Sequence, residues 1–373
     1  MPRNRTIYQV LALYASQVRP NVAQTGAKTV AQLSRVQSFD EDFTRNFTDV
    51  NQFGNLASID RVEAEAPTVN SSLSYYLTNG RNEHLLGFNI IGTGAGAVNN
   101  TASCLSGLLN KSTDEKNYYL LIANEGDDAA GFAGSTSGVI GLGNGFITSY
   151  SATAAVGDIP TASLDLEALN VRVYAGISGN NNQAPGINAV DGTMLNVNFN
   201  LPAATSLTGS SIPMALQPGD ITFTIPSGAV MGFEETDLKV QDFTLSFDLA
   251  RTPLQRLGNR FAFSREIDFP VTATLEVNAE VGDIRSGNLA DVICSNANHD
   301  FAILLAEPGC GTNKRVAMRY DFKGAKLTSQ NFTSSIGENV TMSATYEVQI
   351  GGPQQNDRGI FMSGSFNKPE IAI

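Results

Sequence analysis

The chain has 373 residues, 42% of them hydrophobic, which is enough to bury real cores and excludes wholesale disorder. Charged residues make up only 16%, and 36 acidic against 24 basic residues give a net charge of −12, which disfavours a nucleic-acid grip. Trp is absent and His occurs only at His84 and His299, so few groups can move protons near neutral pH.

In chain order, the N-terminus MPRNRT lacks an apolar segment and a small-residue cleavage site, and no apolar run approaches the roughly 18 to 20 residues of a membrane span. A chain made and kept soluble is expected. Phe39 and Phe43 alternate with polar residues, as in a half-buried strand. A Gly-rich stretch over about 92–115 follows, then the apolar strand YYLLIANEG from Tyr118. Leu164/Leu166 and Leu169/Val171/Val173 again alternate. The connector Ser178–Gly186, SGNNNQAPG, reads as a polar loop, and the residues from there to about Glu235 read as strands. Phe243/Leu245/Phe247 and Met342/Ala344/Tyr346/Val348/Ile350 repeat the period of two. Between them Asn288–Ile293 is the best short helix, with a counterpart near Cys104–Leu109.

Internal repetition decides the architecture. At one offset, Val36, Gln37, Phe39, Phe43, Thr48, Gly54, Asn55 and Arg61 fall on the identical residues Val240, Gln241, Phe243, Phe247, Thr252, Gly258, Asn259 and Arg265. A one-residue slip then aligns Pro67 with Pro270. Further on, Thr148, Ser149, Thr153, Gly157, Thr161 and Ser163 match Thr328, Ser329, Thr333, Gly337, Thr341 and Ser343. YYLLIANEG lies between the blocks of the first copy as DFAILLAEPG, from Asp300, does in the second. The first copy is longer, and the extra residues are expected at about 92–115. The expected fold is mainly β: two tandem β-sandwich or barrel domains, 1–204 and 205–373, each with a short flanking helix. The first domain carries the insertion at about 92–115 and the connector at about 178–204.

Chemistry-bearing motifs are weak. Gly92-Thr-Gly94-Ala-Gly-Ala97 fits the GxGxxA dinucleotide fingerprint, but the Val98-Asn-Asn-Thr that follows is a poor helix, so a loop is expected. The pairs within Asp40-Glu41-Asp42, Asp127-Asp128 and Glu234-Glu235 are sequence neighbours, which a strand sends to opposite faces, so turns or an acidic surface are expected. Cys104, Cys294 and Cys310 form no CxxC pair and suggest neither zinc nor a disulfide framework. Asn-x-Ser/Thr triplets at Asn4, Asn46, Asn70, Asn99, Asn110, Asn331 and Asn339 read as a by-product of strand and turn composition. No catalytic, cofactor-binding or metal residues are expected, and the chain does not read as an enzyme.

The aligned segments also carry a family resemblance. LSRVQSFDEDFTRNFTDVNQFGNLASIDRVEAEAPTV, with RNRTIYQVLALY, resembles tail proteins of long-tailed bacteriophages, and SFDLARTPLQRLGNRFAFSREIDFPVTATLEV resembles their second copy. The likeness covers most of the chain and is weakest over about 92–115 and 178–235. It implies a virion structural protein of the tail-tube type, with strands joined across subunits into rings that stack around DNA. The implied partners are further copies of the chain, in homotrimeric, pseudo-hexameric rings with a homohexamer as the alternative. Tape-measure, tail-tip and terminator proteins join them, and genomic DNA passes through without specific binding. The implied location is the phage tail, assembled in host cytoplasm, with excess carboxylates inside and the 92–115 loop stacking rings or decorating the outside. The alternative expectation is a receptor- or carbohydrate-binding β-protein of the virion surface, which lack of Trp disfavours.

Overall fold

The computed structural model describes residues 11–25, 28–92, 102–123, 129, 138–177, 182–203, 214–295, 297–309, 314–337 and 339–366. The protein is mainly β, as the period-two patterning requires. The first strand set runs β1 (Leu11–Ser16), β2 (Val30–Gln32), β3 (Val36–Thr44), the hairpin β4 (Phe47–Val50) and β5 (Asp60–Glu63), then β6 (Thr68–Tyr76). Helix α1 (Arg81–Leu86), the two-residue β7 (Ile90–Ile91) and the one-turn α2 (Lys111–Asp114) lead to β8 (Lys116–Ile122), β9 (Gly138–Ala155), β10 (Thr161–Ala168) and β11 (Asn170–Ala175). The connector holds β12 (Asn182–Gln183) and β13 (Asn198–Phe199). The second set runs β14 (Ile221–Thr224), β15 (Leu238–Asp248), β16 (Val271–Val281), α3 (Leu289–Ser295), β17 (His299–Ala306), β18 (Val316–Thr333), β19 (Thr341–Ile350) and β20 (Gly359–Gly364).

The two sets pair in the same order. β3·β6, β6·β10, β10·β9, β9·β8, β9·β11 and β8·β1 are matched by β15·β16, β16·β19, β19·β18, β18·β17, β18·β20 and β17·β14. Registers agree residue by residue: Phe39 opposes Leu73 as Phe243 opposes Val277, and Leu164 opposes Leu73 as Ala344 opposes Val277. The irregularities recur as well. β3 and β15 skip a residue at Gln37 and Gln241, and β9 and β18 skip one at Thr148 and Thr328. A bulge is a designed feature of a sheet, so its recurrence ties each set to one ancestral pattern. The register also corrects the proline match: Val69 and Ala273 keep the unslipped offset, so Pro67 stands opposite Val271 in the alignment rather than Pro270.

β9 and β18 each serve two sheets. The first half of β9 pairs β8 and β11, and its second half pairs β10 and β15; β18 does the same with β17 and β20, then β19. The strand turns at Asn144 (φ 56°) and, at the matching position, Gly324 (φ 70°). Both residue types tolerate the left-handed region that the corner needs. Folding each long strand over itself makes a sandwich, and its filling is a single apolar core running from Leu73, Leu164 and Tyr150 through Leu245 and Leu275 to Ile303 and Tyr346. The two sets therefore share one core and one sheet, with no break in packing between them.

Several sequence expectations change. The helix expected at Asn288–Ile293 is present as α3, and the segment near Cys104–Leu109 is a 3-10 turn over Cys104–Gly107. The extra length of the first set lies between β6 and β8, where α1, β7 and α2 stand against the single helix α3 between β16 and β17. The described part of the 92–115 segment is anchored in the core: Cys104 and Leu105 are fully buried, the Ser103 hydroxyl donates to the Gly351 carbonyl at 2.9 Å, and β7, just before it, pairs in parallel with β20. The segment clasps the second set onto the first. The stretch after the connector loop is mostly irregular, with β13 and β14 its only strands among the described residues before β15. It lies on the first set through Phe199, which stacks on Tyr119 with centroids 4.5 Å apart, and on the second through β14, which pairs with β17.

A polar island sits in this core. The Tyr75 hydroxyl donates to Glu83 Oε1 at 3.0 Å, and Tyr150 and Tyr320, one from each set, share a hydrogen bond of 2.8 Å. Burial pushes the Glu83 carboxyl up from 4.5 to about 7. An acid whose folded pKa is raised binds more protons folded than unfolded, so its contribution to stability is full below 4.5 and is lost as pH rises towards 7. Relative to Glu83→Gln, the native chain should lose on the order of 3 kcal/mol between pH 4 and pH 8. Urea titrations of both chains at each pH check this. A difference between them that stays constant with pH would contradict it.

Candidate functional site

Strand edges come first, because every edge leaves N–H and C=O groups without partners. The two sets are sewn together where β15 pairs antiparallel with the second half of β9, from Asp242 opposite Ala155 to Asp248 opposite Ser149. The Leu249 N–H to Thr148 carbonyl bond (2.7 Å) and the Val156 N–H to Gln241 carbonyl bond (2.9 Å) extend this seam at both ends. Its core side is tight: Leu245 and Ala152 are 0% exposed, and Tyr150 stacks on Phe247 at 5.4 Å.

The same two edges are open at the ends of the eight-strand path β18-β19-β16-β15-β9-β10-β6-β3. Among the described residues β3, the counterpart of β15, pairs only β6. The second half of β18, the counterpart of the seam half of β9, pairs only β19. Side chains at these edges show what is missing. Phe43 is 61% exposed where its counterpart Phe247 is 2%, and Phe332 is 47% exposed where its counterpart Ala152 is 0%. Bare aromatics on an unpaired edge are a liability that soluble proteins avoid unless something covers them.

The seam sheet has one face on the core and one bare face, built by the residues that alternate with the buried ones. That bare face is rich in Ser and Thr: Ser72, Ser74, Ser149, Ser151, Thr153, Ser163, Thr244, Ser246, Thr274, Ser343 and Thr345 all lie on it. It carries nine carboxylates, Asp40, Asp42, Asp165, Glu167, Asp242, Asp248, Glu276, Glu280 and Glu347, against Lys239 and Lys326, with Glu167 paired to Arg265. Short hydrogen bonds tie a few of them to neighbours, such as Asp165 to the Ser149 hydroxyl and Asp242 to the Asn278 amide, both at 2.7 Å. The result is a broad, hydrated and strongly negative surface.

The sequence singled out Asp40-Glu41-Asp42, and the structure splits that run. Asp40 and Asp42 lie on the acidic face, while Glu41 takes the core-facing position that Leu245 occupies in the second set. They are on a strand rather than in a turn. Glu234 caps the short turn Glu235–Asp237 and pairs with Arg285 at 3.2 Å, a structural role. Asp127 and Asp128 lie outside the described residues, as do Thr93 to Ala97 of the glycine motif and Cys310. His84 stacks on Phe366 with centroids 4.6 Å apart, and His299 stands on β17; burial lowers the pKa of both. Cys104 is buried and Cys294 exposed. Of the Asn triplets, Asn70 and Asn331 alternate with core residues on the seam sheet, and Asn4 and Asn99 lie outside the described residues. Among the described residues no three His, Cys, Asp or Glu side chains cluster as metal ligands, and no helix is long and apolar enough to cross a membrane.

The remaining carboxylates of the acidic face went unnoticed in the sequence because they are scattered over four strands, β10, β15, β16 and β19. Their signal is the alternation itself, as in VTATLEVNAEV, where Glu276 and Glu280 fill polar slots between core residues. The chain matches no protein-family model and no curated protein.

Because Asp248 and Glu276 are exposed, Asp248→Asn and Glu276→Gln should each change the unfolding free energy by no more than about 0.5 kcal/mol. Chemical denaturation measures it. A loss above about 2 kcal/mol would mean that these carboxylates hold the fold together rather than dress a surface.

Proposed function

We propose that this chain is a structural subunit of a phage-type tail tube, which assembles head to tail into rings and serves as a conduit for DNA. One observation carries the reading: the two open edges of the seam sheet are the counterparts of the two strands that pair at its internal seam. A surface whose two ends complement each other joins copies heterologously, and such joins close into rings or run on as filaments. Ring closure would consume both edges and cover Phe43 and Phe332.

Two further features support it. Continuing the sheet from copy to copy would place the acidic, Ser/Thr-rich face on one side of a closed wall. A negative wall repels phosphate, which suits a channel whose cargo must slide. The sequence resemblance to tail proteins of long-tailed phages points the same way. Three copies per ring, each supplying two strand sets, give pseudo-sixfold rings, with interactions to tape-measure, tail-tip and terminator proteins at the tube's interior and ends. The location is the virion tail. No catalysis is invoked.

Negative-stain electron microscopy of the purified chain, concentrated stepwise, should give end-on rings with threefold symmetry modulated towards sixfold. True sixfold rings would keep the conduit and overturn the stoichiometry. Compact single particles at every concentration would overturn the tube.

A further inference from the structure

The two β-hairpins that follow β3 and β15 have one conformation and two fates. Each turns at a glycine with φ 92°, Gly54 or Gly258. The Ile59 N–H to Val50 carbonyl bond of the first is matched by Phe263 to Leu254 in the second, both at 2.9 Å. Phe47 opposes Glu63 as Arg251 bridges to Ile267. Yet the first hairpin is exposed along β4 and β5, whereas the second, exposed at its tip, is anchored to the first strand set at its base, where Arg265 and Ile267 are buried.

The second hairpin is held by two arginines. Arg265 pairs with Glu167 on β10 and its side chain is only 7% exposed. Arg251 stacks over Phe146 at 5.1 Å and donates to the Ile147 carbonyl at 3.1 Å and to Asp114 at 2.6 Å. Arg61, the identical counterpart of Arg265, is 67% exposed and reaches the exposed Asp49 and the Phe47 ring of its own hairpin. An exposed pair of this kind contributes little.

The receiving groove also has a counterpart. Glu167 matches Glu347, and Phe146 matches Lys326; together with Arg358, Thr328 and Gln349 they line an open groove beside β18 and β19. Among the described residues no side chain pairs with Glu347 as Arg265 pairs with Glu167. The replacements are complementary as well. Where the first groove offers Phe146 to the cation of Arg251, the second offers the cation of Lys326 to Phe47, which stands in the place of Arg251.

The geometry points to a latch between copies: the β4–β5 hairpin of one chain seats in the Lys326–Glu347 groove of the next. Arg61 pairs there with Glu347, and Phe47 lies against Lys326. The register follows from the internal seam, with Phe39 opposite Ser334 and Thr44 opposite Ser329 of the second copy. This inference rests on the head-to-tail assembly proposed above and names the side chains that lock it.

Charge reversal tests it in the full-length chain, with sedimentation velocity over a concentration series as the readout. Arg61→Glu and Glu347→Arg should each raise the half-assembly concentration about tenfold or more, because each brings like charges together across the contact. The double variant Arg61→Glu/Glu347→Arg should return to within about threefold of the native chain. Monomer unfolding should be unchanged in all three, since both side chains are exposed. Native-like assembly of either single variant, or no recovery in the double, would overturn the latch and leave the tube reading standing. Failure of the native chain to assemble at all would overturn both.

Discussion

Everything in this molecule turns on the pairing of β15 with the second half of β9. A strand edge in water presents a row of unmatched amides and carbonyls, and pairing it with a complementary edge satisfies them. Duplication places one such junction inside the chain, where it merges two sandwiches into one sheet over one core. The same duplication leaves the outer edges in the state the inner ones would have without each other. The contrast between Phe247 at 2% and Phe43 at 61% exposure is a direct record of that.

The two kinds of junction cannot be equal. At the internal seam Leu245 faces Ala152, both fully buried, whereas Glu41 and Phe332 hold the matching positions at the open edges. A carboxylate in place of a core leucine weakens the apolar contact and favours an interface that forms only when many copies act together. The insertion adds a second asymmetry. β7 and the Ser103 hydroxyl reach from the first set into the second, at β20 and Gly351, so the internal junction is clasped as well as paired. In the proposed assembly the junction within each chain is permanent and the one between chains conditional, which would suit a subunit that stays dispersed until it is recruited.

Much of the fold was legible because the repeat supplied what one copy could not. Alternation of Phe243, Leu245 and Phe247 marks a strand, and identical residues at Phe39 and Phe43 assign the same strand to the first copy even where burial is lost. The helix expected at Asn288–Ile293 is present as α3, and the Asn288 side-chain oxygen before it accepts from the Ala290 N–H at 3.1 Å. Helix α1 was missed: six residues between Gly80 and Gly87 are too few for a helical period to emerge, and its fixing contact, Tyr75 to Glu83, is tertiary. The stretch from 186 to 235 read as strands because of its apolar residues, but most of those residues pack as irregular chain, Phe199 on the first set and Ala229, Val230 and Phe233 in the shared core, and only β13 and β14 find partner strands. Matching Pro67 to Pro270 failed for a related reason, since hydrogen-bond register outranks residue identity.

The acidic face was half legible. Each carboxylate occupies a polar slot that period-two reading identifies, but only the strand order gathers Asp40, Asp165, Asp242, Glu276 and Glu347 onto one surface. Sequence neighbours such as Asp40 and Glu41 are parted by the pleat, while residues far apart in the chain are brought together by the ladder.

The central claim is that both open edges of the seam sheet are consumed in the assembled state. Amide hydrogen exchange, compared between dispersed and assembled chains, tests it most directly. Peptides covering β3 and residues 326–333 should exchange fast when dispersed and become strongly protected on assembly, with β15 and the second half of β9 protected in both states. Assembly that leaves β3 and 326–333 exchanging as fast as before would contradict the claim and place the contacts between copies elsewhere.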